Sequence, residues 1–113
     1  MYIVDTGKTH CEDGPHHVRR FCVEGGSKLS GGEVFATCGA GLYDGLRVDV
    51  HGNLWLSAAD GVHCHASDGT LLGKIRVPEV VANLTFGGPK RNRLFICGTT
   101  SLYAVYLNTR GAR

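Results

Sequence analysis

Residues 43–55 read YDGLRVDVHGNLW, which predicts a strand from Asp44 to Val50, a tight turn at His51–Asn53 and a returning strand. The pattern recurs about 40 residues later in NLTFGGPKRNRLFI, residues 83–96. A repeat of this length, made of short strands and turns, is typical of a β-propeller blade. Groups at the start of an inner strand face the central channel of a propeller, and Asp44 occupies that position.

The composition is that of a globular protein. Of the 113 residues, 42% are hydrophobic and 19% are charged, which excludes an intrinsically disordered chain. A formal charge of +2 is too small to indicate a nucleic-acid partner, and the basic run Lys90–Arg93 is expected to be a solvated hairpin loop. No apolar run reaches the length of a membrane span, so no membrane partner is expected.

The cysteines and the N-terminus both favour a cytoplasmic protein. The five cysteines are odd in number and have no CxxC spacing, so a secreted disulfide framework is not indicated. The sequence after Met1 lacks the basic-then-apolar pattern of a signal peptide.

The chain is predicted to be all-β, with roughly ten antiparallel strands and no segment of helical periodicity. Residues 54–59 and 93–98 are apolar or small on both faces. A sheet with one face in water would alternate apolar and polar residues, so both segments are expected to be covered on both sides, as in stacked blades. A β-sandwich remains an alternative, but it predicts stronger alternation and no repeat near 40 residues.

The predicted strands make about two and a half blades in a single domain of residues 1–113. Segment 44–78 forms a complete blade, segment 81–108 lacks its outer strand, and segment 1–40 is a partial blade that lacks its inner strand. Such a set cannot close a ring, and its end sheets would leave apolar faces open. We therefore expect either a piece of a longer protein whose N-terminal blades are missing, or a homo-oligomer.

Several short motifs, taken in order and spacing, resemble one family nearly from end to end. They are YIVDT (2–6), GPHHVR (14–19), DGLRVD (44–49), GNLW (52–55), GV (61–62), GKI (73–75), VP (77–78), NLTFGG (83–88) and TSLY (100–103). In this respect the chain is similar to the C-terminal part of the senescence marker protein/gluconolactonase/luciferin-regenerating enzyme family.

The resemblance implies part of a six-bladed β-propeller that hydrolyses lactones of sugar acids and binds one divalent metal, calcium or zinc, in its channel. It also implies that Asp44, from the Asp-Gly motif, is both a metal ligand and a catalytic general base. The family's other two protein ligands, a Glu and the Asn of an Asn-Gly motif, have no counterpart in this sequence. One carboxylate would hold a metal weakly, so the chain alone is expected to be inactive.

Two further residues are candidates for contact with substrate. Asn83 lies one repeat after Gly45, where it could face the channel or make an ordinary turn or ladder contact. His16 and His17 follow Pro15 at another strand start, so His17 could face the channel or be a surface or packed imidazole.

Asp5 and the His63-Cys64-His65 segment have simpler structural interpretations. Asp5 ends a strand and is expected to cap the turn at Gly7. His63 and His65 share one strand face and could pair at a zinc ion, but structural zinc sites favour turn-based pairs. Ordinary histidines on an outer strand are therefore the expectation.

The leading hypothesis is a metal-dependent sugar-lactone hydrolase of the gluconolactonase type, with a small lactone as substrate of the parent enzyme. One alternative is a non-enzymatic β module that self-associates through its open blade faces. The other is a small β-sandwich binding module without a metal.

Overall fold

A computed structural model describes residues 1–112, which form ten antiparallel strands in three sheets and one short 3₁₀ turn, Gly7–Thr9. The first sheet contains β1 (Tyr2–Asp5), β2 (His17–Glu24) and β3 (Lys28–Thr37). The middle sheet contains β4 (Leu46–Val48), β5 (Leu54–Ala58), β6 (Gly61–His65) and β7 (Leu71–Arg76), and the third sheet contains β8 (Val81–Gly87), β9 (Arg93–Gly98) and β10 (Leu102–Tyr106).

In each sheet, consecutive strands pair in sequence order. The all-β prediction with ten antiparallel strands is confirmed, and the two-sheet sandwich is wrong for the described residues. The division into blades at 1–40, 44–78 and 81–108 and the number of blades in a ring stay predictions. No helix within residues 1–112 is both long enough and apolar enough to cross a membrane.

Strand β3 begins inside a Gly/Ser-rich run, residues 25–32, whose composition predicts a turn. Only Gly25, Gly26 and Ser27 make the turn, and β3 starts at Lys28. Gly31 and Gly32 have φ values of 84° and 94° and lie within the strand, where the pairing register with β2 shifts. Glycine tolerates these angles, so the strand continues through a bulge rather than ending.

The first and middle sheets pack through a buried apolar cluster. Val18 and Ala36 from the first sheet meet Leu54, Leu56 and Ala58 from β5, and the three β5 residues are fully buried. These β5 positions alternate along the strand, so they lie on the same face of the middle sheet.

The opposite face of the middle sheet packs against the third sheet. Val62 on β6 joins Leu84, Leu94 and Ile96 in a second buried cluster. Trp55 on β5 contacts the same cluster, with its ring edge-on to Phe86 at a centroid distance of 6.0 Å. The middle sheet is therefore covered on both faces, because each side of its strands has a neighbouring sheet.

The expectation of two covered faces is confirmed for residues 54–59 and wrong for residues 93–98. All five residues of β6, the neighbour of β5, are also buried. On β9, Leu94 and Ile96 are buried but Cys97 is exposed, because no described residue packs on the outer face of the third sheet at that position.

Candidate functional site

Asp44 and Gly45 come directly before β4 and are held by Ser57. The Asp44 backbone N–H donates to the Ser57 carbonyl oxygen at 3.2 Å, and the Gly45 N–H donates to Ser57 Oγ at 2.7 Å. The Ser57 hydroxyl is fully buried and donates to the Ala82 carbonyl oxygen at 3.2 Å, in β8. One serine on β5 therefore ties the start of β4 to the start of β8.

Asn83 lies against Gly45, as their equivalent positions in the repeat suggest. A Cβ atom on Gly45 would come within 3.0 Å of the Asn83 Cα and would also collide with its side chain. The glycine is therefore required by the close approach of two strands rather than by an unusual backbone angle. Asn83 is exposed, and its Oδ1 accepts the Leu84 N–H at 2.9 Å, which leaves both Nδ2 hydrogens without a partner among residues 1–112.

The Asp44 side chain is exposed at a cavity of about 430 Å³. The walls of the cavity come from the start of β4, the start of β8 and the 3₁₀ turn, and the lining residues are Thr6, Thr9, Gly41, Leu42, Tyr43, Asp44, Ala59, Val80, Val81 and Ala82. Within the described part of the chain, the Asp44 carboxylate makes no hydrogen bond or ion pair. It is therefore free to contact a ligand.

His17 is placed apart from this cavity. It pairs with Asp5 and Thr37 in the first sheet, and its Nε2 lies 3.9 Å from Asp5 Oδ2. The Gly7 N–H donates to Asp5 Oδ1 at 3.2 Å, which confirms the predicted cap. His16 is also occupied, because its Nδ1–H donates to the Cys38 carbonyl oxygen at 3.0 Å. Neither histidine lines the cavity beside Asp44.

The prediction that His63 and His65 are ordinary outer-strand histidines is wrong, because both are buried on β6 against Tyr43. The Tyr43 hydroxyl lies 2.9 Å from His63 Nδ1 and 3.0 Å from His65 Nε2. The outer nitrogens are also occupied: His63 Nε2–H donates to Asp60 at 2.6 Å and His65 Nδ1–H donates to the Gly69 carbonyl oxygen at 3.1 Å. The hydroxyl has a single proton, so it donates to one of the two inner nitrogens and can accept from the other only where that nitrogen carries a proton. All four ring nitrogens face partners inside the fold, so the pair is not open to a zinc ion in this arrangement.

The sequence reasoning missed the buried role of Asp49. Its Oδ1 accepts the backbone N–H groups of His51 and Asn53, and its Oδ2 accepts Asn53 Nδ2–H and Trp55 Nε1–H, at 2.9–3.1 Å. Burial alone would raise the pKa of Asp49, but these hydrogen bonds, led by that of Trp55, bring the pKa below its ordinary value. An aspartate placed just before a Gly-Asn turn is the signal that could have identified it.

No group of three or more His, Cys, Asp or Glu side chains in residues 1–112 is arranged to hold a metal ion. Asp44 offers one carboxylate, whereas calcium prefers at least six oxygen ligands and zinc about four ligands. The side chains of the described chain do not by themselves fit either metal.

Residues 1–100 match the family described as the SMP-30/gluconolactonase/LRE-like region. The chain belongs to this family. A curated gluconolactonase from Zymomonas mobilis is 38% identical over 74 residues, a match that covers 64% of this chain and 20% of the gluconolactonase. This chain therefore spans about a fifth of that relative.

Solved structures of the same fold agree with this assignment. An X-ray structure of a candidate gluconolactonase is 34% identical with a TM-score of 0.89, and the match covers 99% of this chain and 36% of that one. A gluconolactonase from Xanthomonas campestris is 35% identical with a TM-score of 0.72, over 85% of this chain and 30% of its own. The gluconolactonases support lactone hydrolysis as an activity of the family.

A more distant structure shares the fold. A calcium-binding protein, regucalcin, from Agrobacterium tumefaciens is 19% identical with a TM-score of 0.72, over 86% of this chain and 40% of its own. Relatives of this fold thus include a protein that binds a divalent cation.

Proposed function

We propose that this chain is part of a sugar-lactone hydrolase of the gluconolactonase type and that Asp44 is the catalytic carboxylate it provides. One observation carries the proposal: Asp44 is exposed at a cavity with an uncommitted carboxylate, while its backbone is fixed by Ser57. A rigid backbone and a free charged end are what a reacting group requires.

The chemistry of ester hydrolysis suits these residues. A lactone is a cyclic ester, and water that attacks its carbonyl carbon must lose a proton while the carbonyl oxygen becomes an oxyanion. The Asp44 carboxylate can accept that proton as a general base. Asn83, whose Oδ1 is held by the Leu84 N–H, can use its Nδ2 hydrogens to bind and orient a substrate oxygen.

We further propose that Asp44 is the single ligand this chain contributes to a divalent metal, calcium or zinc. In the family such an ion would acidify water and polarise the lactone carbonyl. Since the described residues supply one carboxylate, the remaining ligands must come from elsewhere, and the isolated chain is expected to bind metal weakly and not to turn over substrate. His17 is a weaker candidate for substrate contact than Asn83. Neither residue lines the cavity, but Asn83 lies against Gly45, next to Asp44, whereas His17 lies beside Asp5 in the first sheet.

A chimera tests the proposed role directly. In this chimera, the 113-residue chain replaces the matching segment of a gluconolactonase of the family. Hydrolysis of gluconolactone is measured from the acid that it releases. Asp44→Asn should lower kcat/KM by about 100-fold or more, the usual effect of losing a general base. The control is Asp68→Asn, because Asp68 is exposed in the turn between β6 and β7 and does not line the cavity.

Equal activities of the two variants in the chimera would refute the catalytic role. Calcium and zinc titrations of the 113-residue chain test the metal role separately: Asp44→Asn should abolish the weak binding that Asp68→Asn preserves. Metal-dependent turnover by the isolated chain would contradict the expected inactivity.

Self-association is a second candidate, favoured by apolar residues on the outer faces of both end sheets. Ile3 and Val34 in the first sheet are 41% and 48% exposed, and Leu102 and Tyr106 in the third sheet are 68% and 70% exposed. A second copy that covered these faces would bury them, so the chain would be a homo-oligomeric β module. Sedimentation at several concentrations distinguishes this candidate, which requires an oligomer, from a monomer.

A further inference from the structure

A concave basic surface lies at the opposite end of the sheets from Asp44. Strand β4 runs away from Asp44 and leads into the turn at 49–53, and β8 runs alongside it and leads into the loop at 88–92. The segment after β10 returns to the same end. We call the concave surface formed by these three segments the basic cavity.

The basic cavity is preformed by backbone hydrogen bonds. The Val50 N–H donates to the Arg110 carbonyl oxygen at 2.9 Å, the Gly111 N–H donates to the Arg91 carbonyl oxygen at 3.0 Å, and the Ala112 N–H donates to the Val48 carbonyl oxygen at 2.9 Å. The Arg91 guanidinium also donates to the Gly111 carbonyl oxygen. The walls are thus fixed relative to one another before any ligand binds, which reduces the ordering entropy of binding.

The cavity has a volume of about 720 Å³, within the range of small-molecule sites. Lys90 from the loop after β8 and Arg110 from the segment after β10 supply two cationic side chains, and His51 also lines the cavity. No Asp or Glu of residues 1–112 lines the cavity. The neighbouring Asp49 does not neutralise it from within, because that carboxylate is 1% exposed and accepts four hydrogen bonds.

Three side-chain donors of the cavity have no hydrogen-bond partner within the described residues. Within the described residues, the side chains of Lys90, Asn92 and Arg110 make no hydrogen bond or ion pair, although other charged residues of the chain do. Two unpaired cations and an unpaired amide on one surface indicate a place for an acceptor-rich anion.

We propose that the basic cavity binds the phosphate group of a small soluble molecule. A phosphate has several acceptor oxygens and two negative charges, so it can use both cations and the Asn92 amide together. A carboxylate has fewer acceptor sites and one charge. The small formal net charge of +2 favours a single small anion over an extended nucleic acid. This site is independent of lactone hydrolysis at Asp44.

The test is a titration of the 113-residue chain with inorganic phosphate, followed by the backbone amide signals in NMR spectra. Signals of Lys90, Asn92 and Arg110 should shift together, while those around Asp44 stay in place. Lys90→Gln and Arg110→Gln should each weaken binding by about tenfold or more, as expected for loss of a charged hydrogen bond. Unchanged spectra of the unbound variants elsewhere in the chain establish that they are folded.

The matched control is Lys28→Gln, which changes an exposed lysine of the first sheet that does not line the cavity. It should bind phosphate as the parent does, and so should Asp44→Asn. Equal weakening by Lys28→Gln, or the absence of shifts confined to the cavity, would overturn the proposal. Equally tight binding of acetate, or tighter binding of single-stranded DNA that also depends on Lys28, would likewise contradict a phosphate site.

Discussion

The middle and third sheets both contain strands with apolar residues, but these strands are buried to different extents. All five residues of β6 are buried, whereas on β10 exposed residues alternate with half-buried ones, and Leu102 and Tyr106 are 68% and 70% exposed. The middle sheet has a neighbour on each face, and the third sheet has one neighbour within the described chain. Apolar residues in the sequence therefore indicate which faces of a sheet can be covered. The arrangement of neighbouring sheets determines which faces are covered.

The most direct way to break this comparison is to make the same truncation in both sheets. Leu56→Ala in the middle sheet should lower the free energy of unfolding by about 2–5 kcal/mol, because it leaves a cavity in a fully buried cluster. Leu102→Ala in the third sheet should change the free energy by no more than about 0.5 kcal/mol. Urea unfolding of both variants measures the difference. Equal losses would mean that the outer face of the third sheet is covered in solution.

Two tyrosines allow the same comparison between a buried and an exposed hydroxyl group. Tyr43→Phe removes the hydroxyl that lies between His63 and His65, and it should cost about 1–3 kcal/mol because at least one buried ring nitrogen loses its partner. Tyr106→Phe should be nearly neutral, since Tyr106 is 70% exposed. The measurement is again urea unfolding at neutral pH. A Tyr43→Phe variant as stable as Tyr106→Phe would show that the buried network contributes no net stability.

The acid dependence of stability gives a smaller effect from the same buried network. Burial, together with the nearby His63, lowers the pKa of His65 from its ordinary value of 6.5. Below pH 6.5 the unfolded chain therefore binds a proton at this position that the folded chain does not. As the pH decreases below 6.5, the free energy of unfolding should fall by at most about 1.4 kcal/mol per pH unit. His65→Gln should flatten this part of the profile, while His51→Gln, which alters an exposed ring, should not.

The alkaline dependence should have the opposite sign. Burial raises the pKa of the Cys64 thiol from 9.0 to about 11. Between these values the folded chain keeps a proton that the unfolded chain loses, so stability should fall as the pH rises. Cys64→Ala should remove this loss, and Cys97→Ala, at an exposed position of the third sheet, serves as the control. A profile that is unchanged by Cys64→Ala would contradict the assignment.

Part of the candidate site is related to the repeat. The sequence places Asn83 one repeat after Gly45, and in the structure the two residues are in contact. The roles of Asp44, Asn83 and His17 stay predictions. The role of Ser57 was not predictable, because its hydroxyl reaches a strand that is 25 residues away in sequence. The same holds for Tyr43, whose partners His63 and His65 share a face of β6 that another sheet happens to cover.

The sequence by itself determined the all-β class, the strand pairs joined by short turns and the family, because these depend on local periodicity, glycine positions and ordered motifs. Only the tertiary structure decided that Asp49 is a buried hydrogen-bond acceptor while Asp44 is free at a cavity, although both flank the same short strand. The physical reason is that hydrogen-bond saturation and burial depend on which segments meet in space. The return of the chain after β10 to form the basic cavity follows from the same long-range packing.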